Sequence, residues 1–110
     1  MIMDVSEVLK ALADPNRLRI LNLLHEHTLC VCDLEAILEL NQSNLSRHLS
    51  KLKHAGLVKS QKKALFTYYS REAIPNRYGP IVEALCEAIH TDPTWLSDRV
   101  RLAKRVGSSC

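Results

Sequence analysis

The sequence contains no apolar run long enough to cross a membrane, and no basic segment followed by an apolar one at its start. The first absence argues against a transmembrane helix and the second against a secretory signal, so we expect a cytoplasmic protein. A Gly-rich phosphate loop, a βαβ pattern and a Ser/His/Asp arrangement are also missing. These absences make an enzyme the weaker class of function.

The composition is that of one small soluble domain. The 110 residues show no composition break, no internal repeat and no low-complexity segment, and 46% are hydrophobic against 25% charged. The formal net charge is only +3, so its distribution matters more than its sum. Four cysteines in a cytoplasmic chain favour metal binding or thiol chemistry over a structural disulfide framework.

Charge is distributed most unevenly in residues 41–58, which contain no Asp or Glu. Leu45, Leu49 and Leu52 recur at helical spacing and predict a buried stripe, while Asn41 and Gly56 suit the two ends of the helix. The opposite face carries Ser43, Arg47, Ser50 and His54. A DNA groove selects against carboxylates, so this face is typical of a DNA-reading helix; a solvated amphipathic helix is the alternative.

The remaining pattern places this helix in a larger motif. Predicted helices cover residues 4–13, 15–27, 32–40, 78–90 and 93–106; residues 28–31 are extended, and residues 58–63 and 65–70 form a hairpin. The order predicts a mainly α fold with a small β-hairpin wing, a winged helix-turn-helix. Arg17 and Arg19 are expected to be solvent-facing, and the hairpin tip lacks the Gly or Asn of a tight turn.

Three segments in order closely resemble the ArsR/SmtB family of metal-sensing bacterial repressors: residues 12–21 (LADPNRLRIL), 29–34 (LCVCDL) and 42–58. The likeness covers about residues 4–90. We expect a DNA-binding and dimerisation domain over residues 1–90, and a helical extension with a flexible tail over residues 91–110.

The resemblance implies a homodimer whose first and post-wing helices form the interface. It also implies a partly palindromic operator that is released when metal binds. A two-fold dimer is consistent with a partly palindromic operator, because it presents two recognition helices to successive major grooves about 34 Å apart. No membrane, further protein partner or organic cofactor is predicted.

Cys30 and Cys32 are the predicted metal ligands. Alternate side chains of an extended segment point to the same side, so the two sulfurs can converge on one ion. Cys32 is expected to be the residue before a helix, where the helix N-terminus favours thiolate, the ligand form. Soft thiolates select arsenite, antimonite, cadmium, lead, zinc or copper(I), and the family resemblance puts arsenite or cadmium first.

The third ligand is left open by the sequence. The arsenite-type pattern of the family often has a third Cys where this chain has Glu35. Trivalent arsenic favours three sulfurs, so the third comes from Cys86, Cys110 or a small thiol, or is absent. Cys86 and His90 share one helix face, but a Cys on an apolar helix is more often a core residue. His25 and His27 are expected to be surface residues.

The predicted DNA-contacting residues fall into two groups, those that read bases and those that contact phosphates. Arg47 is the best candidate for a guanine contact and Gln42 or Asn44 for adenine or phosphate, while Lys51, Lys62 and Lys63 are expected to neutralise phosphates. The full predicted set is Gln42, Ser43, Asn44, Ser46, Arg47, Lys51, Lys62 and Lys63.

Three other functions stay open. A repressor of the same fold can sense oxidants or reactive sulfur through its cysteines. A DNA-binding module without any ligand has the same reading helix. A small thiol oxidoreductase would use the Cys-x-Cys pair for redox chemistry.

Overall fold

The computed structural model describes residues 4–105. The predicted helix end at Val106, the tail and Cys110 lie outside these residues. The elements, in chain order, are α1 (Val5–Leu12), α2 (Pro15–Leu23), β1 (Leu29–Cys30), α3 (Val31–Leu38), α4 (Gln42–His54), β2 (Val58–Lys63), β3 (Phe66–Arg71), α5 (Gly79–Thr91), a 3-10 turn (Pro93–Trp95) and α6 (Leu96–Arg105). Within this part of the chain, every helix is too short or too polar to cross a bilayer.

Side-chain caps fix the starts of the helices that matter most for function. The Asp14 carboxylate accepts from the amides of Asn16 and Arg17 at 2.9 and 3.2 Å, with Pro15 as the first helical residue of α2. The Asn41 side chain accepts from the amide of Asn44 at 2.8 Å and starts α4. The helix start predicted at Asn41 is therefore confirmed, and Asp14 has the same role in α2.

The wing is part of a three-stranded antiparallel sheet with the order β1-β3-β2. Lys63 pairs with Phe66, so only Ala64 and Leu65 form the turn, and Ala64 has φ of 55°. Glycine is the usual residue at such a φ, which explains why the sequence did not signal a tight turn. The predicted mainly α fold with a hairpin wing is confirmed.

The apolar stripe of α4 lies in the core, as its spacing predicts. Leu45, Leu49 and Leu52 are each at most 2% exposed and join leucines of α2 and α3. His48 is also buried on this side of the helix, which the leucine pattern did not reveal. The core therefore fixes the rotation of α4 about its axis and leaves its acid-free face outside.

Arg17 and Arg19 are structural residues, so the expectation that they face solvent is wrong. The Arg17 side chain is 12% exposed, and its Nε donates to the carbonyl of Ala11 at 2.6 Å. Arg19 donates to both carboxylate oxygens of Asp98, at 2.8 and 3.0 Å. Each guanidinium reaches past its own helix to join another segment, and helical periodicity carries no information on such partners.

Helix α6 shares the core of the preceding elements. It packs on α2 and α3, and its Leu102 is buried in the same apolar cluster. Asp98 is 4% exposed and holds Arg19 of α2, while Arg101 donates to the carbonyl of Ile37 at 2.9 Å. Residues 96–105 are therefore held by the core and by charged contacts at two of its helices.

We predict that Asp98→Asn lowers the free energy of unfolding by about 2 kcal/mol, because it leaves the Arg19 guanidinium without its carboxylate partner. Urea unfolding followed by circular dichroism measures the change. Glu7→Gln is the matched control: its partner Lys10 is 74% exposed, so we expect a loss below about 0.5 kcal/mol. Equal effects of the two substitutions would contradict the structural role of Asp98.

Candidate metal centre and nucleic-acid interface

The predicted DNA-contacting residues all lie on exposed surface of α4 or the wing. On α4 these are Gln42, Ser43, Asn44, Ser46, Arg47 and Lys51, and on the wing they are Lys62 and Lys63. All six helical residues are exposed; Ser43 and Arg47 lie opposite the buried leucines, Asn44, Ser46 and Lys51 lie to either side, and Gln42 is the first residue of the helix. The exposed surface of this helix carries basic and small polar groups without a carboxylate, which suits a polyanion.

Local contacts hold Arg47, which belongs to this set, and Lys53, which does not. Arg47 Nη2 donates to the Oδ1 of Asn44 at 3.2 Å, which aligns the guanidinium along the first turns of α4. Lys53 Nζ donates to the Oγ of Ser60 at 2.8 Å and joins α4 to β2. Sequence reasoning missed this link from Lys53, because it depends on how the wing lies against the helix.

His48 connects α4, the predicted DNA-reading helix (the reading helix below), to the start of α2. Arg17 Nη1 lies 3.2 Å from the Nδ1 of His48, and the Oδ1 of Asp14 lies 4.0 Å from the same nitrogen. Because Arg17 is always a donor, Nδ1 must accept and the ring is neutral. Burial lowers the pKa of His48, and the charges of Arg17, Arg47 and Lys51 add to that effect against the opposing charge of Asp14.

The sulfurs of Cys30 and Cys32 are joined as a disulfide, with the two Cα atoms 5.4 Å apart. Cys30 is the last residue of β1 and the N-cap of α3, and Cys32 is the second residue of the helix. The expectation that Cys32 precedes the helix is therefore wrong. The two sulfurs nevertheless converge, because the chain turns from strand to helix between them.

Asp33 is the residue of this site that sequence reasoning missed. Its Oδ2 lies 3.3 Å from the amide of Cys30 and 3.2 Å from the Cys30 sulfur. Its Oδ1 accepts from Arg105 Nε of α6 at 2.8 Å. An acid at the third position of a helix is the signal that was available, since that residue reaches back to the N-cap.

Cys30, Cys32 and Asp33 each offer a ligand atom, and these atoms lie within 4.8 Å of one another. Cys86 belongs to no such group within residues 4–105; it is buried in the core, and burial raises the pKa of its thiol. The structure therefore does not bring Cys86 to the pair. Cys110 cannot be placed, because it lies outside the described residues.

When the Cys30–Cys32 disulfide is reduced, the site fits a thiophilic ion. Reduction of the S–S bond yields two sulfur ligands, and Asp33 adds an oxygen beside them. This donor set suits cadmium, lead or zinc directly. Arsenite would need a third sulfur from beyond the described residues or from a small thiol.

A surface groove of about 420 Å³ joins this site to the reading helix. Cys32 and Glu35 line one side of it, Gln42 and Ser46 of α4 line another, and Thr67 of β3 contributes from the wing. Cys32 is partly exposed to this groove, whereas Cys30 is only 1% exposed, so an ion or oxidant reaches the pair from the side of Cys32.

Comparison with known proteins supports the same class. The model of the family described as "Bacterial regulatory protein, arsR family" matches residues 14–60. The arsenic resistance transcriptional regulator ArsR1 of Pseudomonas putida is 37% identical over 100 residues, covering 88% of this chain and 76% of that protein. The cadmium resistance regulatory protein CadC of Listeria innocua is 44% identical over 67 residues, which are 60% of this chain and 56% of that protein.

Solved structures agree with the fold. Reduced HlyU from Vibrio cholerae superposes with a TM-score of 0.68 at 37% identity, covering 78% of this chain and 84% of that one. A homodimeric winged helix-turn-helix DNA-binding domain from Mycobacterium bovis superposes with a TM-score of 0.63 at 30% identity, covering 77% and 76%.

We predict that the buried His48 makes stability depend on pH. Its pKa in the folded chain lies below the 6.5 of an unperturbed histidine, so the unfolded chain binds more protons as pH falls through that range. The contribution of His48 to the free energy of unfolding is complete above pH 6.5 and decreases as the pH falls below that value. Urea unfolding at pH 7.5 and 5.5 measures the loss, which His48→Gln should reduce; an equal loss in both proteins would contradict it.

Proposed function

Because the chain belongs to the ArsR/SmtB family of bacterial regulators, we propose that it represses transcription as an operator-bound homodimer and leaves the DNA when a thiophilic ion binds Cys30 and Cys32. Arsenite is our first choice of ion, followed by antimonite, cadmium and lead. The observation that carries the proposal is the groove in which Cys32 and the reading helix face each other.

The DNA contact is proposed for the exposed face of α4 and the wing. Arg47 lies near the end of α4 that meets base edges in helix-turn-helix proteins, and its planar guanidinium suits guanine. Lys62 and Lys63 at the wing tip are point charges suited to phosphates of the adjacent groove.

Apolar surface on α1 and α5 supports the proposed dimer. Leu9 is 56% exposed, and Ile81 and Leu85, one helical turn apart on α5, are 62% and 37% exposed. Burying these side chains against a second copy would remove them from water and add to a core of modest size. The homodimeric domain from Mycobacterium bovis has a similar fold.

Release of DNA is proposed to follow from the position of the thiolates. Cys30 and Cys32 lie at the start of α3, and α3 packs on α4. An ion that draws both sulfurs and Asp33 together would shift α3 and, through packing, α4. The ion lowers DNA affinity only if it binds the shifted state more tightly than the DNA-bound state.

The choice of arsenite depends on relatives as well as on the site. ArsR1 and CadC are named for arsenic and cadmium resistance. Two thiolates and one carboxylate suit cadmium without help, whereas arsenite needs the extra sulfur. Arsenite therefore requires Cys110, a small thiol or a residue of the second copy at the site.

A second candidate, favoured by the disulfide, is redox sensing by the same pair. Oxidation by hydrogen peroxide would break its O–O bond and give two waters, while the two thiols lose two protons and two electrons and form the S–S bond. The structure of reduced HlyU shows that redox state has been distinguished for a protein of similar fold.

We predict that arsenite or cadmium lowers operator affinity of the reduced protein at least tenfold, and that Cys30→Ser/Cys32→Ser removes this response. Fluorescence anisotropy with operator DNA, with and without each ion, measures it. Cys86→Ala is the control and should respond as the parent does, because Cys86 lies in the core. Peroxide is added in a parallel titration without metal.

These titrations separate the two candidates. A response to ions alone supports metal sensing, and a response to peroxide alone supports redox sensing. Equal ion responses of the parent and the double variant would refute the role of the cysteine pair.

Substitutions should distinguish residues that read bases from residues that contact phosphates. We expect Arg47→Ala to reduce discrimination at one operator position by about 1–3 kcal/mol. We expect Lys63→Ala to weaken all sequences alike and to lower the salt dependence by about one phosphate contact. Affinities for a panel of operator mutants at several salt concentrations measure both; identical specificity profiles would contradict this division.

A further inference from the structure

A second group of metal-ligand side chains lies where the end of α2 meets the last turn of α5. His25, Glu26 and His90 each offer a ligand atom, and these atoms all lie within 4.8 Å of one another. The two imidazole rings face each other with centroids 4.4 Å apart. Residues 65 positions apart in the chain thus converge on one spot.

Two carboxylates complete the group. Glu87 Oε2 lies 3.2 Å from the Nε2 of His25, and Glu26 Oε1 lies 3.6 Å from the Nε2 of His90. The Nδ1 atoms of both histidines are buried and have no hydrogen-bond partner within the described residues. A buried ring nitrogen without a partner is unfavourable, so the side chains around the two rings satisfy them only in part.

We propose that His25, Glu26 and His90, with Glu87 as fourth ligand, bind a borderline divalent cation of the zinc class within one protomer. Two imidazoles and two carboxylates form a nitrogen and oxygen donor set that such ions accept. Tetrahedral zinc would bring its ligand atoms to about 3.4 Å from one another. Glu26 and Glu87 are 65% and 67% exposed and can move to close that distance.

The surroundings admit a cation. A cavity of about 170 Å³ borders the group and is lined by Glu26, His90 and Arg99, among others. Arg99 is the positive charge that lines this cavity. The two carboxylates offset it, so the group before metal binding has no net positive charge when both histidines are neutral.

The site differs in place and chemistry from the cysteine pair. His90 projects from α5 on the side of Val82 and Cys86, which face the core, whereas the exposed Ile81 lies on the opposite side of the helix. An ion here would therefore join α2 to α5 inside one protomer and leave the apolar surface of α5 uncovered. Because α2 also contacts α4, bound metal would restrain α2 and thereby one of the helices on which α4 packs.

The test uses the full chain with Cys30→Ser/Cys32→Ser, so that the Cys30/Cys32 pair cannot contribute. Cobalt(II) alone is the probe, because its visible absorption reports tetrahedral coordination and its near-ultraviolet absorption reports sulfur ligands. We expect one cobalt per protomer with visible bands and no sulfur band, and full displacement by zinc. His25→Gln and His90→Gln should each weaken cobalt binding at least tenfold.

His54→Gln is the matched control, because His54 is an exposed histidine outside the group. It should bind cobalt as the parent does. Parent-like affinity in both His25→Gln and His90→Gln would overturn the proposal. Where a variant does not fold by circular dichroism, NMR of the unaltered histidines decides: zinc must shift the ring signals of His25 and His90, and unshifted signals would overturn it. Because the background lacks the cysteine pair, this outcome is independent of operator release.

Discussion

The junction between β1 and α3 is the constraint on which the rest of the molecule depends. Cys30 pairs with Tyr68 of the wing, starts α3 as its N-cap and carries one of the two converging sulfurs. Asp33 reaches back to Cys30 and is held in turn by Arg105 of α6. Wing, first helix of the helix-turn-helix and C-terminal helix therefore meet at one strand-to-helix turn. We therefore expect a chemical change at the sulfurs to act on all three.

The reading helix is fixed by a different kind of contact. Three buried leucines set its rotation, and His48 joins it to Arg17 and through Arg17 to the carbonyls at the end of α1. The exposed face of α4 is thereby set by packing on the opposite side, and the Arg47 to Asn44 and Lys53 to Ser60 contacts lie on its exposed surface. This arrangement explains how motion of α3 can reach α4 without any contact between the sulfurs and DNA.

Much of the fold and of the candidate site was predictable from the sequence. Most residues whose roles were missed make their contacts with other elements. The leucine spacing of α4, the cap at Asn41 and the strand pattern of the wing are local signals, and each was confirmed. Arg17, Arg19 and His48 were missed because their partners lie on other elements. The His25/His90 pair was missed for the same reason, and the expectation that His25 is a surface residue is wrong, because its side chain is only 14% exposed. Asp33 was missed although its position three residues after the N-cap was a local signal. Helix α3 begins with Cys30 as its N-cap, whereas we expected Cys32 in that place, because Cys is an unusual N-cap.

The most direct test of the coupling is amide hydrogen exchange of the reduced, full-length protein before and after one equivalent of arsenite or cadmium. If the strand-to-helix turn transmits the signal, exchange rates change in the first turn of α3, in β3 around Tyr68 and in α4. A change confined to residues 30–33, with α4 and β3 exchanging as before, would contradict the account even if the ion binds tightly.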